Sequence, residues 1–166
     1  KGGREVLNLQ DESYSFAPRI NLPLAEKAEQ EGVMTLLLDD SIYGQFAWRV
    51  LSRTLSYAAS LIPEVGSDGL GIDDAMKLGY NWVKGPFELI DEIGVDYFIK
   101  RLNADGMPVP AFLEEAAGSS FYRVEEAELQ TRQLGASWQT IPRAENIIRF
   151  NEMRQTMTPR NSCCLL

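Results

Sequence analysis

Apolar residues recur with helical spacing between residues 41 and 62. At about 100° per residue counted from Ile42, most apolar side chains of this stretch fall within an arc of about 220°. The arc contains Phe46, Tyr57, Val50, Tyr43, Leu61, Ala47, Ala58, Leu51, Ile62, Leu55, Trp48 and Ala59. The opposite side carries Gln45, Arg49, Arg53, Ser52, Ser56 and Ser60. With Asp40 or Ser41 as the N-cap and Pro63 after the last turn, the pattern predicts a helix of about six turns that is buried on two sides.

Glycine and proline residues divide the rest of the chain into shorter helical segments. Gly85 followed by Pro86 predicts the start of a helix that Gly94 ends, and Gly118 predicts the end of another helix. Gly79 is predicted to end a further helix in the left-handed conformation. The predicted short helices span residues 24–30, 75–78, 87–93, 97–103 and 111–117. Asp73 or Asp74 is predicted to cap the second of these helices, and Asp96 is predicted to cap the fourth.

The apolar period changes to two near both ends of the chain, which is typical of strands. Three short strands over residues 121–124, 128–134 and 136–141 predict a β-meander. Near the N-terminus, residues 6–9 are predicted to pair with residues 14–16 in a hairpin, because a polar turn separates the two runs.

These elements predict a mainly α fold, in which a compact multi-helix domain is followed by a small β-meander. The predicted organisation is an N-terminal segment or linker with the hairpin (1–39), a helical domain (40–118), the β-meander (119–142) and a connector or tail (143–166). Within the N-terminal segment, residues 34–38 suit a short buried strand or a turn. A chain of 166 residues is long enough to bury a core without disulfide bonds.

The composition excludes several classes of function. The chain contains no histidine, so its own residues cannot form a Ser-His-Asp triad, a Cys-His pair or a histidine metal site. Its 24 acidic residues outnumber 16 basic ones, and the net charge of -8 disfavours binding to nucleic acid or to an anionic membrane surface. No metal site is predicted.

The two cysteines, Cys163 and Cys164, stand side by side near the C-terminus, where they cannot staple the fold. With Leu166 last, they match a C-terminal lipidation motif, but no dense basic stretch precedes it, so an ordinary tail is favoured. Residues 33–38 form the most apolar run and are too few to cross a membrane. Because no secretory signal is visible, a cytoplasmic location is expected.

Gly66, Gly69 and Gly71 are reminiscent of the glycine-rich loops that bind phosphate groups. Their spacing does not fit, because a dinucleotide loop needs G-x-G-x-x-G directly after a strand, and here the glycines follow a long helix. A calcium loop is also disfavoured, since Leu70 and Ile72 stand where oxygen ligands are needed. We therefore expect a loop between two helices.

Charged residues between positions 77 and 101 offer two further hypotheses. Carboxylates at helical spacing could share a metal ion or a proton, and the candidates are Glu88, Asp91 and Glu92. Basic residues could bind an anionic ligand such as a nucleotide phosphate, and the candidates are Lys77, Lys84, Lys100 and Arg101. For both sets the simpler interpretation is favoured: acidic residues complement a helix N-terminus, and scattered basic residues are solvated.

Residues 73–96 carry a distinctive motif, DDAMKLGYNWVKGPFELIDEIGVD. It resembles the C-terminal helical domain of 3-hydroxyacyl-CoA dehydrogenases, whose pattern runs D-x-A-(M/L)-x-x-G-x-x-x-x-x-G-P-(F/L)-E-L-x-D-x-(I/V)-G-(L/V)-D. The chain matches nearly every fixed position, and the resemblance covers about residues 40–118. Together with its flanks, the chain looks like the later part of a multifunctional β-oxidation protein. There the helical module is duplicated, and the dehydrogenase domains are joined to an enoyl-CoA hydratase or isomerase domain.

This resemblance implies NAD-dependent oxidation of 3-hydroxyacyl-CoA to 3-ketoacyl-CoA by a longer parent enzyme. In that family a His-Glu pair takes the hydroxyl proton, whereas this chain has no histidine and no dinucleotide-binding fingerprint. The resemblance therefore places NAD and the catalytic residues in another domain, and we expect this chain to be inactive alone. The expected partners are the NAD-binding domain, an enoyl-CoA hydratase domain, the acyl-CoA substrate and, as an open alternative, a second copy of the chain.

The turn between residues 81 and 86 is the expected contact with ligand or with a neighbouring domain. Trp82 offers an apolar face, and Lys84 a positive charge beside the next helix. The predicted contact residues are Asn81, Trp82, Lys84, Gly85 and Pro86. In the alternative interpretation, Trp82 packs in the core and Lys84 is solvated. A different function also stays open, namely a stand-alone helical interaction or acyl-CoA-binding module without dehydrogenase activity.

Overall fold

A computed structural model describes residues 5–17 and 21–142 of the protein. Within them the elements follow in the order β1 (Glu5–Leu7), β2 (Tyr14–Phe16), α1 (Pro23–Glu31), α2 (Val33–Leu37), α3 (Ile42–Ser60), α4 (Leu70–Tyr80), α5 (Pro86–Ile93), α6 (Val95–Ala104), α7 (Ala111–Glu115), β3 (Tyr122–Glu125), β4 (Glu128–Arg132) and β5 (Trp138–Thr140). This order confirms the prediction of a mainly α domain followed by a small sheet. The predicted connector or tail and the C-terminal cysteine motif lie outside the described residues.

The long helix α3 forms as predicted, with the Ser41 hydroxyl accepting the N–H of Gly44 at its N-terminus. Its buried side is not the predicted one. Ser52 and Ser56 were expected on the polar side, yet both are buried together with Leu55. The small serine side chains permit close packing, and the Ser52 hydroxyl hydrogen-bonds to a carbonyl of its own helix.

The outer side of α3 carries large apolar residues that no described residue covers. Its exposed members are Ile42, Tyr43, Phe46, Val50 and Tyr57, which are between 45% and 75% exposed. The prediction that α3 is buried on two sides is therefore wrong for the described part of the chain. The periodicity predicted which side of the helix is apolar, but it did not show which apolar residues pack against another element.

Two local predictions near α2 and α6 need correction. Residues 34–38 were expected to form a strand or a turn, but α2 is a short helix. The Asp96 side chain does not cap α6, because it accepts the N–H of Gly118 at 2.8 Å instead. Gly94, which closes α5 as predicted, is also the N-cap of α6 and has a φ of 90°.

The helix α4 begins and ends outside the predicted limits of 75–78. It begins at Leu70, whose N–H is accepted by the Asp68 carboxylate at 3.0 Å. It ends at Asn81, which takes the left-handed conformation with a φ of 56° that was expected of Gly79. Asparagine tolerates this conformation because its short polar side chain bonds locally. Gly79 consequently lies within the last turn of α4.

Gly79→Ala is expected to raise the free energy of unfolding by about 0.5–1 kcal/mol, because alanine has less conformational freedom to lose when a helix forms. A Cβ atom at position 79 would meet nothing within 4 Å. Urea unfolding followed by circular dichroism measures the difference. A destabilised variant would mean that α4 does not extend through this position.

The core lies between α3, α5, α6 and α7. Three phenylalanines form its aromatic centre: the ring of Phe87 lies 5.8 Å from that of Phe112 and 4.9 Å from that of Phe121, both in edge-to-face contact. Trp48 of α3 meets Phe98 of α6 in the same way at 5.7 Å. All four phenylalanines are almost fully buried, so one cluster joins the helices to the residue that precedes β3.

The strands form two antiparallel sheets, β1–β2 and β3–β4–β5. The three-stranded sheet is joined to the loop between α3 and α4, because Leu134 donates its N–H to the carbonyl of Ser67 at 2.7 Å. Gln133 adds a hydrogen bond from its amide nitrogen to Asp68 at 2.6 Å. Among the described helices, none is long and apolar enough to cross a membrane.

Candidate functional site

Asp73 lies inside α4 but completes the N-terminus of the next helix, α5. Its side chain is fully buried, and its two oxygens accept the N–H groups of Phe87 at 2.8 Å and Glu88 at 3.1 Å. The Tyr122 hydroxyl donates a third hydrogen bond at 2.9 Å. Glu88 in turn accepts the N–H of Gly85 at 2.8 Å. Because the first N–H groups of a helix lack partners within it, these carboxylates satisfy the start of α5. This role replaces the predicted capping of α4 by Asp73.

Asp91 holds the start of the three-stranded sheet. Its carboxylate accepts the N–H groups of Phe121 and Tyr122, each at 2.8 Å. Three of the four aspartates of the motif, Asp73, Asp91 and Asp96, therefore each bind the backbone of a segment that follows later in the chain. The sequence predicted acidic residues for α5 but could not show which distant N–H groups they meet.

Glu88 and Glu92 each have a basic partner. The ammonium group of Lys77 lies 2.8 Å from Glu88, and that of Lys84 lies 2.6 Å from Glu92. Glu92 also accepts the N–H of Val33 at 3.0 Å, which ties α5 to the start of α2. The acidic candidates are thus engaged in separate places. No group of three or more His, Cys, Asp or Glu side chains in the described residues is placed to hold a metal ion.

The other two basic candidates differ from each other. Arg101 is half-buried, donates to the carbonyl of Leu37 at 2.6 Å and lies over the ring of Trp48, 4.1 Å from its centre. Lys100 is exposed on the outer side of α6. Of the four basic candidates, Arg101 is the one held rigidly in a concave part of the described surface.

The predicted contact residues in the turn 81–86 divide into two groups. Gly85 and Pro86 are buried and shape the start of α5. Asn81 ends α4, Trp82 is half-buried, and Lys84 is exposed and paired with Glu92. The turn therefore presents Asn81, Trp82 and Lys84 to its surroundings but not the Gly-Pro pair.

Three apolar residues in or just before this turn were not singled out from the sequence. Leu78 is 88% exposed, Tyr80 is 74% exposed and Val83 is 93% exposed. We call Leu78, Tyr80, Trp82 and Val83 the α4–α5 surface. Apolar periodicity within α4 would have drawn attention to Leu78, but it predicts burial rather than exposure. Only the packing shows that these side chains face away from the described core.

The motif and its geometry agree with a comparison against known families. The family model described as "3-hydroxyacyl-CoA dehydrogenase, C-terminal domain" matches residues 44–136. The chain belongs to this family. The matched range begins within α3, includes α4 to α7 and continues through β3 and β4, so the start of the sheet that Asp91 binds lies within the family match.

Proteins with related sequences are much longer than this chain. A Rickettsia felis protein named as a fatty acid oxidation complex trifunctional enzyme is 35% identical over 113 residues, which are 66% of this chain and 15% of that protein. A Bacillus subtilis protein named as a 3-hydroxyacyl-CoA dehydrogenase is 31% identical over 122 residues, 69% of this chain and 16% of that protein. The chain thus spans about one sixth of the relatives it matches. No solved structure matches it significantly.

The described residues of this dehydrogenase-family domain contain two sheets and a glycine-rich segment. Both sheets are antiparallel, so the parallel strand–helix–strand unit that binds dinucleotides is not found in them. The glycine-rich segment has a packing role instead, since a Cβ atom at Gly69 would overlap the ring of Phe87. Gly71 is already inside α4. Gly66 and Gly69 therefore lie in the predicted loop between two helices, whereas Gly71 belongs to the helix that follows.

Burial changes the acidity of two motif aspartates in this dehydrogenase-family domain. Removal from water raises the pKa of Asp73 to about 6, although the N–H groups of Phe87 and Glu88 and the hydroxyl of Tyr122 act in the opposite direction. Burial likewise raises the pKa of Asp91 to about 6. The pKa of Tyr122 is raised by its burial and by the neighbouring Asp73.

We expect the Asp91 contribution to stability to decrease as the pH rises. Its folded pKa is about 6 against 3.8 for an ordinary aspartate. The folded state therefore binds the proton more tightly than the unfolded state does. The resulting stabilisation is fully present at pH values below the pKa of Asp91 in the unfolded state, and it is lost as the pH rises through its pKa in the folded state. Between about pH 4 and pH 7, Asp91 is expected to lower the free energy of unfolding of the wild type by about 2–3 kcal/mol. The Asp91→Asn variant is expected to lack this decrease.

Urea unfolding at both pH values measures this effect. Asp74→Asn is the control, because Asp74 lies in the same motif but its side chain is 52% exposed. An Asp91→Asn variant with the same pH dependence as the wild type would contradict the expectation.

Proposed function

We propose that the chain is the non-catalytic C-terminal part of an NAD-dependent 3-hydroxyacyl-CoA dehydrogenase of fatty-acid β-oxidation. The family match and the names of the relatives support the reaction. The length of the relatives supports additional domains in the same polypeptide, one of which binds NAD and carries the catalytic residues. We place the enzyme in the cytoplasm, because a body without cysteines suits a reducing compartment.

The observation that carries this proposal is the exposure of the α4–α5 surface. Its residues Leu78, Tyr80 and Val83 are among the most exposed apolar side chains of the described residues. The three residues lie within six positions of one another along the chain, and exposed apolar patches mark sites of interaction with other proteins or domains. We propose that a neighbouring domain of the same polypeptide covers them, together with Trp82.

The surroundings of the α4–α5 surface support rigid docking. The left-handed turn at Asn81 and the N–H of Trp82, which donates to the carbonyl of Met76, fix the end of α4. Asp73 fixes the start of α5 from the other side. The ion pair of Lys84 with Glu92 gives the surface a polar edge. An apolar centre with a polar rim is the usual composition of an interface.

The experiment joins this chain to an NAD-binding domain in one polypeptide and measures NADH formation from 3-hydroxybutyryl-CoA. We expect no turnover by the chain alone and activity in the joined polypeptide. Val83→Asp is expected to lower that activity about tenfold, because a charge at the centre of an interface must be desolvated. Leu9→Asp is the control, since Leu9 is similarly exposed, at 87%, but lies outside the α4–α5 surface.

Two results would contradict the proposal. Full activity after deletion of residues 40–118 from the joined polypeptide would show that the domain is not needed for the reaction. It would favour the stand-alone helical interaction or acyl-CoA-binding module instead. Equal losses from Val83→Asp and Leu9→Asp would show that the α4–α5 surface has no special part in docking.

A further inference from the structure

The hairpin β1–β2 has an apolar face that the described residues leave largely exposed. Residues directly opposite each other in antiparallel strands share a face, so the pairs Leu7–Tyr14 and Glu5–Phe16 lie on one face of the hairpin. Leu7 is 43% exposed, Tyr14 is 70% exposed and Phe16 is 69% exposed. We call these four residues the hairpin face. Because an isolated two-stranded hairpin is marginally stable in water, a surface that covers this face would stabilise it.

The charge of the hairpin is of one sign. Residues 5–17 contain Glu5, Asp11 and Glu12 but no basic residue. Asp11 accepts hydrogen bonds from Ser13 within the turn. The carboxylate of Glu5, on the hairpin face itself, has no ion-pair partner among the described residues. A surface that combines apolar side chains with positive charge would therefore complement the hairpin face.

The outer side of α3 has both of these properties. Ile42 is 75% exposed and Phe46 is 67% exposed. Arg49 and Arg53 are exposed beside them. This side of α3 is one wall of a groove of about 740 Å³ between α3 and α6, and Arg101 lies on the other wall. We call it the α3 groove.

Positive charge dominates the α3 groove, although the chain as a whole has a net charge of -8. The single carboxylate of its lining, Asp105, accepts a hydrogen bond from the indole N–H of Trp48. Arg49 and Arg53 form no hydrogen bond or ion pair with any residue in the described part of the chain. Two like charges four residues apart on a helix repel each other, so a carboxylate placed beside them would be stabilising.

Within one copy of the chain, the hairpin face and the α3 groove are both exposed, so the hairpin does not cover the groove of its own chain. We propose that the hairpin docks in the α3 groove of a second copy. Its aromatic side chains lie against Ile42 and Phe46, and Glu5 lies beside the arginines of α3. Because each copy supplies one hairpin and one groove, a two-fold symmetric dimer contains two identical contacts. The contact is separate from the α4–α5 surface and does not depend on docking there.

Sedimentation velocity of the full chain at about 1–100 μM tests the proposal. We expect a dimer whose fraction rises with protein concentration. Phe16→Asp and Phe46→Asp are each expected to weaken the dimer about tenfold or more, because each places a charge in an apolar contact. Both residues are exposed, so we expect the variants to fold, which circular dichroism checks.

A mixture of these two variants distinguishes the proposed contact from general apolar association. Each copy of Phe16→Asp keeps an intact groove, and each copy of Phe46→Asp keeps an intact hairpin. The mixture therefore restores one of the two contacts, and we expect it to dimerise about fivefold more tightly than either variant alone. A mixture that dimerises no more tightly than its components would overturn the proposal. A wild-type chain that stays monomeric at every concentration would do the same.

An exchange of charges tests the position of Glu5. Arg53→Glu is expected to weaken the dimer about fivefold, and Glu5→Arg in the same chain is expected to recover most of that loss. Without recovery, the placement of Glu5 beside the arginines would be wrong. Val83→Asp is the control, because Val83 is 93% exposed but lies outside both the hairpin and the α3 groove. We expect it to change dimerisation by less than about twofold. A loss equal to that of Phe16→Asp would also refute the proposal.

Discussion

Gly85→Ala is expected to lower the free energy of unfolding by about 3–5 kcal/mol. The backbone of Gly85 is ordinary, with a φ of -74°, so conformational strain is not the cause. The cause is the close approach of α4: a Cβ atom at position 85 would lie 2.5 Å from the Cα atom of Asp73. Because that neighbour is backbone, it cannot rotate away, and α4 and α5 must separate.

Urea unfolding measures the loss, with Gly79→Ala as the matched control. The two substitutions add the same methyl group to the same motif, yet nothing lies within 4 Å of the added atom at position 79. We therefore expect effects of opposite sign from the pair. If Gly85→Ala stayed within about 1 kcal/mol of the wild type, the close contact of α4 with the start of α5 would be refuted.

Asp73→Ala is expected to destabilise the protein by about 3–4 kcal/mol. Removal of the carboxylate leaves the N–H groups of Phe87 and Glu88 and the hydroxyl of Tyr122 without their partner, and a buried donor without a partner costs about 1–3 kcal/mol. The cost is partly offset, because the burial that raises the pKa of Asp73 also makes its negative charge unfavourable.

The Tyr122 hydroxyl allows this interpretation to be tested by a double-mutant cycle. Tyr122→Phe removes one of the three donors, so it is expected to destabilise the wild type by about 1 kcal/mol and to have almost no effect in the Asp73→Ala background. Additive effects of the two substitutions in urea unfolding would show that Asp73 and Tyr122 do not form the expected hydrogen bond in solution.

Much of the fold could be predicted because its signals are local. The ends of helices are set by residues at those ends. Ser41 precedes α3, Pro86 lies in the first turn of α5, and Gly94 follows its last turn. The alternating pattern after residue 118 likewise predicted strands that the structure contains. The predictions for α2 and for both ends of α4 were wrong. There, the conformation of a short apolar run or of a helix terminus depends on contacts with residues in other elements.

The candidate site was less accessible from the sequence. The motif pointed to residues 81–86, but the exposure of Leu78 before this turn and of Val83 within it was not evident, because an apolar side chain normally indicates burial. The groove that Arg49, Arg53 and Arg101 line together was also not predicted. Arg49 and Arg53 were placed on the polar side of α3 as predicted, whereas Arg101 is separated from them by about 50 positions and joins them only through the packing of α6.

By itself, the sequence determined the helical class of the domain, its family motif and the impossibility of histidine chemistry within the chain. These properties depend on residue type and near-neighbour spacing, which a sequence states directly. Only the tertiary structure decided which side of α3 is buried and which donors Asp73 binds. Burial and hydrogen bonding of this kind join residues far apart in the chain, as Asp73 and Tyr122 are, so their free energies depend on packing rather than on local pattern.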